Sequence, residues 1–518
     1  MNGAQALIRT LVACGVDTCF MNPGTSEMHF VAALDAVPEM HSVLALFEGV
    51  ATGAADGYGR MADRPAATLL HLGPGLGNGL ANLHNARKAH TPVVNIVGDH
   101  ATYHKQYDAQ LESDIDTVAR NVSSFIRWST KTSEVGNDAA DTVAAAFGPP
   151  GQVATLVLPA DISWGDGGEP AARKAPQSRA TATDGDIRTI ADALRSGEPA
   201  IVLVGGTALR SETLALARAI VETTGAKLLC ETFPARIERG AGRAGVDRIA
   251  YLAEFAAMQL DGARHLVLVD AKAPVSFFAY PEKASWLAPE GCEVHTLAGP
   301  SDDTPAALGA LADALGATPD AAARQPLARP ELRTGPLTAE AVCVALGALL
   351  PEGAIVSDEG NTSGLFAAGL TAGAPPHDWL CLTGGAIGQG LPVAVGAAAA
   401  CPDRRVIALE SDGSAMYTLQ AWWTMAREGL DVTTILFNNG SYAVLNMELN
   451  RVGAEPAGPR AKDMLDIHRP DLDFVALANG MGVPATRATN AEEFNEQLGR
   501  ALATPGPSVV EAVVPSIV

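Results

Sequence analysis

Aromatic side chains are scarce in this chain, at 5% of 518 residues. The apolar share of 47% is carried largely by small and aliphatic residues, and small residues let helices lie close to a sheet. An α/β architecture is therefore favoured over an all-β one. Cysteine is sparse as well: seven residues, an odd number, with no CxxC pair. That argues against a disulfide framework or a cysteine zinc site and fits a reducing cytoplasm. No apolar run is long. The most apolar stretch, Leu391 to Cys401, is about half of the ~20 residues a membrane span needs. The opening MNGAQALIRTLVACGVD lacks a basic start followed by an apolar core and a small-residue cleavage site. A soluble, cytoplasmic protein without membrane contact is expected. Basic residues are outnumbered 36 to 58, giving a net charge of -22. Such a surface repels a phosphate backbone, so no nucleic-acid partner is expected. An anionic cofactor remains compatible, because a metal and helix N-termini can hold it locally.

What the chain does have is length, and 52 glycines to punctuate it. At the usual domain size the length suggests roughly three domains. Polar, Pro- and Gly-rich stretches at 165–185 and 316–336 read as linkers, leaving segments 1–165, 186–316 and 337–518. Each alternates apolar strand runs with helical patterns. ATLLHL (67–72) and PVVNIVGD (92–99) read as buried parallel strands, with a helix from Gly79 to Ala89 between them. AIVLVGG (200–206) and HLVLVDA (265–271) do the same in the second segment. AIVSDEG (354–360), RVIALESDG (405–413) and VTTILFNNG (432–440) do so in the third. The expected fold is α/β, with three doubly wound parallel-sheet domains. Residues 71–99 and 382–412 share a plan of Gly-rich loop, Ala-rich helix, apolar strand and terminal acid. Either any two βαβ units look alike, or one α/β domain has been duplicated.

The strongest chemical signal is SDGSAMYTLQAWWTMAREGLDVTTILFNNGSY, residues 411–442. Two strands end in Asp412-Gly413 and Asn438-Asn439-Gly440, one crossover apart. In an open parallel sheet both tips then reach the ligand-binding edge. Mg²⁺ takes oxygen ligands: the Asp412 carboxylate, the Asn439 amide oxygen and a backbone carbonyl, that of Ser441, are the candidates. Gly413 permits close approach of phosphate, and Ser414 begins a helix whose free N–H groups attract anions. Asp-Gly and Asn-Gly are also ordinary turn pairs, and either alone would be read so.

A second signal is LALFEGVATGAADGYGRM (44–61), where Glu48 follows a short apolar strand and opens a small-residue helix. Alone it would be a carboxylate complementing a helix dipole. A third is TGGAIGQGLP (383–392), a Gly-rich turn in which Ile387 alone would be a core residue.

Together these segments resemble thiamine-diphosphate enzymes, across nearly the whole chain. The GDG…NN signature is matched with Ser411 in place of its first Gly, and EGVATGAADGYGR, NPGTSEM (22–28) and HLGPGLGN (71–78) match further. The resemblance implies thiamine diphosphate and Mg²⁺ as cofactors, held by a pyrimidine-binding, a central and a diphosphate-binding domain. It makes Glu48 the carboxylic acid against the aminopyrimidine, Ile387 the residue that bends the coenzyme, and Gly385 the carbonyl accepting its 4′-amino group. Asn361, Thr362 and Tyr442 fall with the cofactor contacts. It also implies a homo-oligomer, a dimer at least and a tetramer by preference, with Glu48 and Asp412 serving one site from two chains.

Two relatives compete. Benzoylformate decarboxylase is matched by NPGTSEM, which puts Thr25 at a substrate-binding position, and by His71 at a catalytic histidine. His71 could relay protons or be a structural histidine. Where that family has a second histidine, APVSFFAYPEK (273–283) offers Phe278 or Ala279, and Glu448 stands at a pocket aromatic's place, either acidifying a pocket or lying on a helix surface. Acetolactate synthase large chains carry a Phe-Gln pair where Gln110-Leu111 stands, and their flavin motifs are not evident. The expected function is a decarboxylase or carboligase of 2-oxo acids, acetolactate-synthase-like and without functional FAD. The alternative is a benzoylformate-decarboxylase-like enzyme acting on an aromatic 2-oxo acid. From other classes come a non-catalytic cofactor-binding paralogue and a nicotinamide dehydrogenase. The latter is disfavoured because IVLVGGTALRSE (201–212) lacks GxGxxG spacing.

Overall fold

Apolar runs that are buried at every position form several of the strands, and they can be buried so only if both sheet faces are covered. The computed structural model describes residues 1–454 and 458–516. Its first sheet contains β1 (Thr18–Asn22), β2 (His41–Leu44), β3 (Ala66–Leu70), β4 (Val93–Asp99), β5 (Phe125–Trp128) and β6 (Val153–Pro159). All pair in parallel, in the order β2-β1-β3-β4-β6-β5. The central stretch supplies β7 (Ala200–Val204), β8 (Lys227–Cys230), β9 (Ile237–Arg239), β10 (Asp247–Arg248), β11 (His265–Val269) and β12 (Glu293–Ala298). Its sheet runs β10-β8-β7-β11-β12, while β9 leaves it to pair antiparallel with a strand of the third sheet. The third sheet holds β13 (Ile355–Glu359), β14 (His377–Cys381), β15 (Val406–Ser411), β16 (Val432–Asn438), β17 (Ala485–Ala488) and β18 (Ser508–Val513). Its order is β17-β18-β16-β15-β13-β14-β9. The α/β class with three mostly parallel sheets agrees with the sequence reading.

Stripped of β9, the third sheet repeats the strand order of the first, with β13 in the place of β1. The structural counterparts differ from the pair of segments read in the sequence. By strand order, β14, helix Gly390–Ala400 and β15 correspond to β2, helix Glu48–Ala62 and β3, not to the unit that begins at His71. Local pattern cannot distinguish successive βαβ units, and only the order in the sheet does.

In each sheet the chain turns one way and then the other at its first strand. This creates a crevice between the carboxyl ends of β1 and β3, of β7 and β11, and of β13 and β15. Ligands of open parallel sheets bind at such crevices. The residues beyond these tips are Pro23–Glu27 and His71, Gly205–Thr207 and Asp270, and Gly360–Thr362 and Asp412.

The two equivalent helices pack on each other with their backbones nearly touching. A Cβ on Gly57 would lie 2.1 Å from the Val393 carbonyl, and one on Gly396 1.8 Å from that of Ala54. The buried ion pair Asp56–Arg60 crosses the same contact: Arg60 donates to the Cys381 carbonyl at 2.8 Å and to Thr383 Oγ1 at 3.0 Å. An apolar cluster runs through it from Val43 and Leu70 to Leu391 and Trp422. The first and third sheets thus share one core.

The helix expected over 79–89 begins earlier and spans Leu72–Lys88. Two of its glycines are needed for proximity rather than for a loop. A Cβ on Gly73 would meet Ser113 Oγ at 1.9 Å, and one on Gly79 would meet Thr52 Cγ2 at 2.7 Å. Tertiary packing overrides the low helix propensity of glycine here. Among the described residues, no helix is long and apolar enough to cross a membrane.

Candidate active site at the sheet edges

Asp412 is 2% exposed and opens helix Asp412–Thr418, two residues before the Ser414 start expected from the sequence. Its Oδ2 accepts the backbone N–H of Asn439 at 2.9 Å and of Gly440 at 2.6 Å, and its Oδ1 accepts that of Gly413 at 2.8 Å. Burial nonetheless pushes its pKa above the usual carboxylate value, against the three N–H donors. The Asn439 amide oxygen accepts the Ser441 N–H at 3.0 Å, closing a tight turn. Asp412, Asn439 and Ser441 are therefore brought together by the tips of adjacent strands β15 and β16. They line a cavity of about 1430 Å³ whose other walls include Lys462, His468 and Arg469. The His468 ring lies where a Cβ on Gly440 would stand, and the Tyr442 ring covers Gly413 in the same way. Across the crevice, Asn361 takes a left-handed φ of 45° and donates to Ser411 Oγ at 3.4 Å, with Thr362 next to it.

The Gly-rich turn is held from several sides. Asn85 clasps Ala386, donating to its carbonyl at 2.8 Å and accepting its N–H at 3.2 Å. Asn82 bridges the carbonyls of Gly49, at 2.8 Å, and Gly388, at 3.1 Å. The buried Glu359 accepts the N–H groups of Gly388 at 2.8 Å and Gly390 at 2.5 Å. Gly385 has φ 72°, a conformation that favours glycine, and Ile387 next to it is half-buried. Beside Glu359 lies the buried Glu410, which accepts from Ser414 Oγ and leaves its own Oε2 without a partner. Burial raises both carboxyls, and in Glu410 the neighbouring Glu359 adds to the rise.

At the first sheet's edge, Glu48 is 7% exposed at the start of its helix and accepts from Asn78 Nδ2 at 3.0 Å. A Cβ on Gly75 would lie 3.3 Å from its Oε1 and 3.4 Å from His71 Cβ, so Glu48 and His71 face one small space. His71 Nδ1 donates to Glu27 Oε2 at 2.8 Å. That hydrogen bond holds the His71 pKa above the usual imidazole value, while desolvation pulls the other way. Glu27 also accepts the Gly24 N–H at 2.8 Å, and its buried Oε1 has no partner. Thr25 sits exposed on the same turn.

Four residues escaped the sequence reading. Glu27 belongs to the NPGTSEM turn, but Thr25 drew the attention. Glu359 and Glu410 are acids at the ends of buried strands, and that position is itself a signal. The fourth is Phe277, a central-segment residue that reaches the Gly-rich turn. Its ring lies 2.6 Å from where a Cβ of Gly385 would be, whereas Phe278 is 54% exposed. Phe277 packs with Phe233 and Tyr251, and Tyr251 donates to Glu448 Oε1 at 3.3 Å. Glu448 is thus embedded among Tyr251 and Arg451 rather than lying on a helix surface.

Comparison with known proteins places this geometry in a family. Residues 1–119 match the thiamine pyrophosphate enzyme N-terminal TPP binding domain, and residues 358–512 match the C-terminal TPP binding domain. A protein of Mycobacterium tuberculosis named "Putative acetolactate synthase large subunit IlvX" is 59% identical over 525 positions, covering 100% of both chains. Benzoylformate decarboxylase of Pseudomonas aeruginosa is 29% identical, covering 97% of both. In fold, the chain is similar to the thiamine diphosphate-dependent 4-hydroxybenzoylformate decarboxylase of Rhodococcus jostii, with a TM-score of 0.84 and 23% identity over 99% of both chains. The chain belongs to the thiamine pyrophosphate enzymes, and within them to the acetolactate synthase and benzoylformate decarboxylase type.

Proposed function

We propose that this protein is a Mg²⁺- and thiamine-diphosphate-dependent decarboxylase or carboligase of 2-oxo acids, acetolactate-synthase-like and independent of FAD. The observation that carries the reading is the fastening of two strand tips by Asp412, at the crevice where a coenzyme diphosphate would lie. The donor set there is oxygen throughout, with one negative charge, and it fits Mg²⁺. Asp412, the Asn439 amide oxygen and the Ser441 carbonyl would hold the ion. Gly413, Ser414, Asn361, Thr362 and Tyr442 would surround the diphosphate, with Lys462 among the residues lining the cavity. When bound, the coenzyme supplies the nucleophilic carbon and the electron sink for loss of CO₂. Glu48, oriented by Asn78, would keep a proton at the pyrimidine ring. The Gly385 carbonyl would accept from the amino group, and Ile387 would support the bend. His71, made more basic by Glu27, would deliver a proton to the product, with Thr25 beside the substrate.

Independence of FAD is supported at the central crevice. The Thr207 N–H and hydroxyl donate to Asp270 at 2.8 and 2.9 Å, and the Gly206 N–H donates to Glu231 at 3.3 Å. The amides that would greet a dinucleotide phosphate are therefore engaged by carboxylates, which also disfavours a nicotinamide enzyme. We assign residues 1–165, 186–316 and 337–518 to the pyrimidine-binding, central and diphosphate-binding domains of a cytoplasmic protein. The active site is proposed to lie between subunits of a dimer or tetramer. In support, the cavity at Asp412 is lined, among the described residues, by residues 412–516 alone, whereas the Glu48 carboxylate accepts from Asn78 of the first segment. The second reading, a decarboxylase of aromatic 2-oxo acids, is favoured by the His71–Glu27 pair and the rings of Phe277, Phe233 and Tyr251.

With Mg²⁺ and thiamine diphosphate supplied, pyruvate should yield acetolactate. Benzaldehyde from benzoylformate would instead establish the second reading, and coenzyme uptake without any product would leave a binding protein. Glu48→Gln and Asp412→Asn should each lower turnover by on the order of 10²-fold or more. Co-assembled one to one, the two inactive chains should regain about a quarter of the wild-type rate if sites lie between subunits. No recovery would place both residues in one chain. Protonated His71 is the donor, so activity falls as pH rises through its pKa. Glu27→Gln removes the raising partner and should move that alkaline limb of kcat/KM down by roughly one pH unit. An unmoved limb would remove His71 from the proton path.

A further inference from the structure

The sheet edge opposite the crevices carries a cluster that the proposed reaction does not use. His265 is the first residue of β11 and Glu293 the first of β12, and the two strands are parallel neighbours. In their register His265 stands opposite Glu293 and Val267 opposite His295. Alternate residues share a face, so all three side chains project from one side of the sheet. Their ligating atoms converge. His265 Nδ1 is 3.2 Å from His295 Nε2 and 3.7 Å from Glu293 Oε2, which lies 3.9 Å from His295 Nε2. A tetrahedral ion with bonds of ~2.0–2.1 Å holds its ligands about 3.3 Å apart. The imidazoles already have that separation. Glu293, with its side chain 70% exposed, is free to close the remaining few tenths of an ångström.

We propose that His265, His295 and Glu293 form a site for a zinc-class divalent cation, with Glu198 as the residue that orients His265. Glu198 Oε2 lies 3.0 Å from His265 Nε2. A proton held on Nε2 leaves the Nδ1 lone pair directed at the cluster, which is how a carboxylate fixes the tautomer of a metal-bound histidine. The remaining position is open to water. Two imidazoles with one carboxylate select zinc, cobalt or nickel over magnesium, which prefers oxygen alone. The site would therefore not compete for the ion at Asp412. An ion there would join β12, the edge strand of the central sheet, to β11 and to the loop entering β7, which carries Glu198. Its role would be structural.

The test uses full-length protein saturated with Mg²⁺ and thiamine diphosphate and titrated with ZnCl₂, followed by desalting and elemental analysis. One zinc per chain is expected, with loss of at least 100-fold in affinity in His295→Ala and weakening of about 10- to 100-fold in Glu198→Gln. Cobalt in place of zinc should give the strong visible absorption of a tetrahedral ion. Asp412→Asn should retain the zinc. Circular dichroism melts in EDTA, expected to be unchanged, separate loss of a ligand from loss of fold in His295→Ala. The proposal is overturned if wild type retains no zinc, if His295→Ala retains as much as wild type, or if Asp412→Asn abolishes uptake.

Discussion

Asp412 accepts the N–H groups of two consecutive residues on the neighbouring strand tip, and the geometry of the third sheet's edge follows from that contact. Strand β15 ends, the chain crosses over as a helix, and β16 ends beside it; one carboxylate then fixes the turn at Asn439-Gly440. A buried carboxylate is costly unless its oxygens are satisfied, and here three backbone N–H groups satisfy it. The same contacts place Asn439 and Ser441 on the wall of the cavity. The proposed ion site is thus built from backbone that the sheet has already ordered, and little would remain to be organised if an ion bound there.

The repetition of strand order in the first and third sheets puts the residues proposed for the other half of the chemistry at equivalent positions. His71 follows β3 as Asp412 follows β15, and Glu48 opens the helix equivalent to the one that follows the Gly-rich turn. The two equivalent helices meet through Gly57 and Gly396 at backbone distance, and Arg60 ties their contact to Cys381 and Thr383. Glu359 clamps the turn from beneath with two backbone acceptor contacts. The glycines of this chain therefore serve two purposes. Gly385 supplies a left-handed backbone, while Gly57, Gly73, Gly79 and Gly396 supply the absence of a side chain.

Much of this was legible in the sequence because parallel strands buried on both faces read as unbroken apolar runs, as Val93–Asp99 and Val432–Asn438 do. The chemistry-bearing residues follow directly upon such runs. What stayed hidden depended on distance along the chain. Glu27 matters through His71, 44 residues away, and Phe277 through Gly385, more than 100 positions on. No local pattern announces either pairing. Glycine and proline argue locally against a helix beginning at Leu72, whereas packing against Thr52 and Ser113 requires glycine there. The internal repeat was visible, but its register was not, because order within a sheet is absent from the linear pattern.

The central claim is that one divalent ion, gripped at Asp412, Asn439 and Ser441, is what retains the coenzyme. Calorimetric titration of metal-stripped protein with thiamine diphosphate, with and without added Mg²⁺, addresses it directly. Saturable uptake is expected only when Mg²⁺ is present. Equal uptake in its absence, or none in either case, would contradict it.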